Sequence, residues 1–135
     1  MLVVTRYRLD PADPPEEASF LADASAALRA LVARPGCLGG TVGRAIDDPR
    51  LWTLTTEWES VGAYRRALSA YEVKLVAVPL MYRAVDEPTA FEPLLTWSPG
   101  TGVTEHVPAL APDAGQGGPG RRGRAADVTP DDRSG

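Results

Sequence analysis

The stretch Leu51-Trp52-Thr53-Leu54-Thr55-Thr56-Glu57-Trp58, followed by Glu59-Ser60, decides the fold. Trp52, Leu54, Thr56 and Trp58 alternate with Leu51, Thr53, Thr55 and Glu57, the period of a strand with two distinct faces. Ser60 then stands where the N-cap of a helix belongs. Just upstream, Asp47-Asp48-Pro49-Arg50 is a tight turn by composition. Ahead of that turn, Cys37 to Asp47 alternates Leu38, Gly40, Val42, Arg44 and Ile46 with small residues, so the two runs read as an antiparallel hairpin. Gly39, Gly40 and Gly43 weaken the first run as an isolated strand. A bent or bulged strand, closely approached by another element, explains them better than a phosphate-binding loop, because no helix start follows.

Working outward, Arg34-Pro35-Gly36 closes a helix that starts near Pro15-Glu16-Glu17, where proline and acidic residues suit an N-terminus. Its apolar stripe is Phe20, Ala24, Ala27, Leu28 and Leu31. Leu2 to Leu9 reads as the first strand, ended by Asp10-Pro11-Ala12-Asp13-Pro14-Pro15. Downstream, Ser60 opens a helix with the stripe Tyr64, Leu68, Tyr71, Leu75 and Val78, and Pro79 closes it. A last strand is expected over Thr89 to Leu95, with Pro93 favouring an edge or a bulge. The order β-α-β-β-α-β predicts an α+β fold of ferredoxin-like type, two helices over one face of a four-stranded sheet. The other sheet face is not convincingly polar, which predicts a homodimer with the sheets facing each other.

The chain has 135 residues, 24% of them charged and 44% hydrophobic. All nine Phe, Tyr and Trp lie at or before Trp97, whereas residues 98–135 hold eight Gly and five Pro. Two regions follow: a domain over 1–97 and a disordered Gly/Pro-rich tail over 98–135. One Cys, Cys37, excludes an internal disulfide or a Cys-rich zinc site, and the sole histidine, His106, falls in the tail. A catalytic imidazole inside the domain is therefore not expected, and no metal is. Net charge is −4, with no broad basic field to attract a polyanion, so nucleic acid is not an expected partner. The short cluster Arg121-Arg122-Gly123-Arg124 is followed closely by Asp127, Asp131 and Asp132, the pattern of a solvated segment. No apolar run reaches the ~18–20 residues of a membrane span, and Met1 to Arg6 lacks the pattern of a secretory signal. A cytoplasmic protein is expected.

The element order, the Arg34-Pro35-Gly36-Cys37-Leu38-Gly39-Gly40 stretch and the Trp58-Glu59-Ser60 segment resemble the antibiotic biosynthesis monooxygenase family, small proteins of the dimeric α+β barrel class. The family's "RPG" turn and its "W-x-S" signature carry the likeness, which spans about residues 1–95. The resemblance implies a dimer with an apolar pocket in each subunit, between sheet and helices. It also implies oxidation of phenols or quinols by O₂ without metal or flavin, the electron-rich substrate itself reducing O₂. Other relatives degrade haem through a histidine on the second helix. Ala67 and Tyr71 occupy the positions where such histidines often occur, so that route has no ligand here.

The candidate substrate-binding residues are Tyr7, Trp58, Tyr64 and Tyr71 as pocket walls and hydroxyl donors, with Arg44 as a cation for a developing phenolate. No residue is assigned a catalytic role. Each candidate has a plainer alternative. The tyrosine hydroxyls can be satisfied internally, Trp58 can be core, and Arg44 can pair with Glu57 on the next strand. Asp47, Asp48, Asp86 and Glu87 read as solvated turn carboxylates. Two functions stay open: a cofactor-independent monooxygenase for a small aromatic or quinonoid molecule, and a non-catalytic binding or dimerisation module of the same fold.

Overall fold

The computed structural model describes residues 1–108. In chain order these form β1 (Leu2–Arg8), α1 (Pro14–Val32), β2 (Cys37–Arg44), β3 (Leu51–Trp58), α2 (Val61–Leu68), α3 (Tyr71–Val76), α4 (Val78–Met81) and β4 (Ala90–Phe91). The strands pair antiparallel in the order β2-β3-β1-β4. This is the ferredoxin-like α+β arrangement. Val3, Tyr7, Leu54 and Trp58 bury one sheet face beneath Phe20, Ala24, Ala27 and Leu31 of α1. On the opposite face Leu2 and Phe91 stay partly exposed, and Val4 and Leu51 are half-buried.

Local chemistry fixes the ends of α1. The Asp13 side chain accepts the Glu16 N–H at 3.1 Å, prolines occupy the first turn, and Glu16 and Glu17 face the positive end of the helix. At the other end Gly36 turns the chain with φ +89°, and its carbonyl accepts the Glu59 N–H at 2.8 Å. A Cβ added there would lie 2.5 Å from the Ala63 Cβ. The Arg34-Pro35-Gly36 turn thus packs beneath the first turn of α2.

The β2–β3 hairpin is as the alternation requires, with a register shift between Cys37 and Gly39. The close approach expected at the glycines is made by α1. A Cβ on Gly40 would meet the Leu28 Cδ1 at 2.6 Å and the Thr55 carbonyl oxygen at 3.3 Å.

The second helix departs from its expected form, a continuous run from Ser60 to Val78. Ser60 does cap α2, accepting the Ala63 N–H at 3.0 Å. The run then breaks at Ser69, whose hydroxyl donates back to the Arg65 carbonyl at 3.4 Å, and at Ala70, which is extended. The break has a packing reason. Ala63 and Ala67 are the buried residues of α2, and continuing that face would turn Lys74 towards the core. Restarting the helix at Tyr71 buries Val73, Ala77 and Leu80 instead. The expected stripe is displaced: Leu75 and Tyr71 point outward.

The last strand is shorter than Thr89 to Leu95. Only Ala90 and Phe91 pair regularly, opposite Val3 and Leu2. Val85 and Thr89 add single bonds to the β1 edge, and Pro88, which has no N–H, interrupts the ladder between them. A separate unit starts at Glu92 and holds a second antiparallel pair, β5 (Leu95–Ser98) and β6 (Gly102–Glu105). The register puts Leu95, Trp97 and Val103 on one face of this hairpin, whereas Thr96 bonds His106 at 2.8 Å from the other. The expected division between Trp97 and Ser98 therefore falls inside β5, and residues 98–105 are structured. The rest of the expected tail, 109–135, lies outside the described residues.

Gly36→Ala tests the turn that joins α1 to β2. It forces an L residue into the left-handed region and a methyl into Ala63. The expected cost is about 2–4 kcal/mol of unfolding free energy, read from urea denaturation. A loss under about 0.5 kcal/mol contradicts this packing, since that is the range of neutral surface changes.

Candidate functional site

The core between helices and sheet is packed with aromatic rings, those of the strands at alternating positions. Phe20 of α1 sits between two of them, its ring centroid 4.9 Å from Tyr7 and 5.6 Å from Trp52. Tyr64 of α2 lies against Trp58 at 5.5 Å. Period two brings Tyr7 and Trp58 to the inner face of β1 and β3, and the Ser60 cap sets the start of the helix that carries Tyr64.

Each polar tip in this space has a different status. The Tyr7 and Thr5 hydroxyls share a hydrogen bond of 2.8 Å, and Thr5 also reaches the Leu54 carbonyl oxygen at 3.3 Å. The Trp58 indole N–H donates to the Thr56 hydroxyl at 2.9 Å. Tyr64 is half-buried, and its hydroxyl has no hydrogen bond among the described residues. Burial pushes the Tyr7 hydroxyl above its ordinary pKa, against smaller opposing effects of Thr5 and the Arg83 charge. Burial also raises Tyr64, and the neighbouring Tyr7 hydroxyl adds to it. Both therefore stay protonated at neutral pH and can act only as neutral donors or acceptors. The Trp52 indole N–H is buried without a partner among the described residues.

The five sequence-derived candidates do not converge. Tyr7, Trp58 and Tyr64 share the interior. Tyr71 opens α3 and is 77% exposed, because the helix break turns it outward. Arg44 lies at the far end of β2, its guanidinium 5.4 Å from the Trp52 ring centre. Glu57, the carboxylate considered for it, pairs in register with Gly39 and faces the opposite side of the sheet. Two of the four turn carboxylates are engaged with arginines: Asp48 with Arg50 at 3.1 Å and Arg8 at 3.7 Å, Glu87 with Arg6 at 2.7 Å. No group of three or more His, Cys, Asp or Glu able to hold a metal is found among the described residues.

Sequence reasoning missed three contributors. Thr5 and Thr56 satisfy Tyr7 and Trp58, and the signal was available: each precedes its partner by two residues on the same strand face. Arg83 lies in what read as a plain connection, yet its guanidinium is 5.8 Å from the Phe20 ring centre. Nothing in the local sequence marks it.

The antibiotic biosynthesis monooxygenase family matches residues 1–76 of this chain. No curated protein matches it. Among solved structures, a conserved protein from Methanosarcina mazei Go1 superposes with a TM-score of 0.53 at 19% identity, over 66% of this chain and 84% of that one. SnoaB, a cofactor-independent oxygenase from Streptomyces nogalater, gives 0.51 at 21% identity over 62% and 82%. Rv0793 from Mycobacterium tuberculosis gives 0.51 at 16% over 79% and 92%. At these identities the likeness is one of fold.

The raised tyrosines carry a pH signature. An unfolded tyrosine ionises near 10, while Tyr7 and Tyr64 hold their protons longer in the folded chain. Their contribution to stability is whole below about pH 10 and is lost as the pH rises towards the folded-state values. Urea midpoints taken from pH 8 to 11 should hold steady and then drop. Tyr7→Phe should drop less steeply than the unsubstituted chain, and parallel curves for the two proteins would remove Tyr7 as the cause.

Proposed function

The chain belongs to the antibiotic biosynthesis monooxygenase family, and from that premise we propose a cofactor-independent monooxygenase acting on a small aromatic or quinonoid molecule. The observation that carries the reading is Tyr64: half-buried, its ring against Trp58, and its hydroxyl without a hydrogen bond among the described residues. The fold likeness to a cofactor-independent oxygenase supports the same direction.

In this reading the substrate lies with its ring against Trp58 and Tyr64 and its oxygen on the Tyr64 hydroxyl. Once deprotonated, an electron-rich ring of this kind reduces O₂ itself. A ring methylene becomes a carbonyl with one atom of O₂, and the other atom leaves as water. The protein's part is orientation, exclusion of water, and a donor placed where negative charge develops on the substrate oxygen. A neutral tyrosine suits that part, because it donates to the oxyanion and keeps its own proton at neutral pH. Tyr7 shapes the wall beneath, its hydroxyl already bonded to Thr5.

The committed state of Tyr7 and Trp58 favours a second reading, a binding or dimerisation module that keeps the fold without turnover. O₂ uptake with anthrone or hydroquinone substrates separates the two. A monooxygenase consumes O₂ in step with product, and Tyr64→Phe lowers the rate by about 10²-fold, the usual cost of one oxyanion donor. Tyr71→Phe leaves the rate unchanged. Binding of either substrate with no O₂ uptake above the buffer rate overturns the enzyme reading in favour of the module.

The proposal includes a homodimer through the open sheet face, where Leu2, Val4, Leu51 and Phe91 are only partly covered. Sedimentation velocity should give twice the 14.3 kDa chain mass. A single monomeric species at tens of micromolar contradicts the dimer.

A further inference from the structure

Away from Tyr64, a cleft of about 250 Å³ opens between α1 and the α3–α4 segment. The cleft is half open: Leu75, Val76, Pro79 and Leu80 line its apolar side, and Asp23 and Arg83 make the rest of its surface polar. Leu80 is buried and forms a fixed floor, whereas Leu75 is 58% exposed.

The two charged groups are not equivalent. Arg83 Nη1 lies 3.0 Å from Asp23 Oδ2, with both side chains about half exposed (49% and 52%), so solvent screens the pair and exchange of the anion costs little. Arg83 has a second anchor, the buried Phe20 ring beneath its guanidinium. Among the described residues the Asp23 carboxylate has no hydrogen bond except the one from Arg83. The cation is thus held in place from below, and the carboxylate facing it is replaceable. A planar guanidinium at the rim of an apolar cleft fits a carboxylate through two parallel hydrogen bonds.

We propose that this cleft binds a small monocarboxylate with an apolar body, Arg83 holding the carboxylate in place of Asp23 while Leu75, Val76, Pro79 and Leu80 cover the body. The site makes no use of Tyr64 and stands apart from the oxygenase reading. A phosphate or a second carboxylate on the ligand would find no further cation in this lining.

The test uses the full-length, ¹⁵N-labelled chain titrated with 2-naphthoate and with the neutral, similarly shaped 2-naphthamide. Naphthoate should give saturable shifts centred on the amides of Leu75, Val76, Leu80 and Arg83, with affinity about tenfold above naphthamide. Asp23→Asn removes the competing carboxylate, so it should tighten naphthoate severalfold and leave naphthamide unchanged. Arg83→Gln should bring naphthoate down to the affinity of the amide. Equal affinity for the two probes, an Asp23→Asn protein that binds naphthoate no better, or shifts centred on Trp58 and Tyr64 each overturn the proposal. Asp23 is a half-exposed helix position, so that variant decides the matter even where Arg83→Gln perturbs folding. Loss of O₂ uptake in any of these proteins bears on the oxygenase reading and not on this one.

Discussion

Phe20 is the wedge on which the helical layer depends. It is fully buried, between Tyr7 of β1 and Trp52 of β3, and it also lies beneath Arg83. Burying a side chain of that size contributes roughly 1.5–3 kcal/mol, a large share of the net stability of a domain this small. Its position follows from the capped start of α1, which fixes which residues of the helix face the sheet. The spacing between α1 and the strands then sets the rest: Gly40 is needed where Leu28 descends, and Gly36 where the chain passes beneath Ala63.

The hairpin and α1 were legible because their signals are local. Alternation from Leu51 to Trp58 specifies one strand with two faces, and Asp13, the prolines and Gly36 mark the helix ends chemically. The break at Ser69 and Ala70 was not legible, since no proline or glycine stands there. It answers a tertiary demand, that Val73 and not Lys74 be buried where α3 packs against α1, and periodicity read over Tyr64 to Val78 averages across it. The shortened β4 is a smaller case of the same kind. Pro88 was visible, but its effect depends on pairing with an edge of β1 that sequence does not locate.

Of the candidate site, the sequence revealed the chemistry of the interior better than its geometry. Tyr7, Trp58 and Tyr64 lie where strand and helix periods place them. Tyr71 lost its place with the helix break, and Arg44 proved to face a ring at the sheet's far end instead of the carboxylate of Glu57. Hydrogen-bond status is the information sequence carries least. Whether a hydroxyl meets a partner is set by side-chain geometry, and here Tyr7 bonds Thr5 whereas Tyr64 has no such bond among the described residues.

The divided second helix has a dynamic consequence. α1 has 19 residues, whereas α2, α3 and α4 have 8, 6 and 4, lengths at which a helix in water does not repay its own nucleation. Their order is borrowed from Ala63, Ala67, Val73, Ala77 and Leu80 against the sheet and α1. Amide protons of this segment should accordingly exchange with solvent through local openings, while those of β1 and β3 wait for global unfolding. Tyr64 rides on one of the borrowed helices and Tyr7 on the central strand. The interior therefore joins a wall fixed in the central sheet to a wall whose order is lent to it by its neighbours.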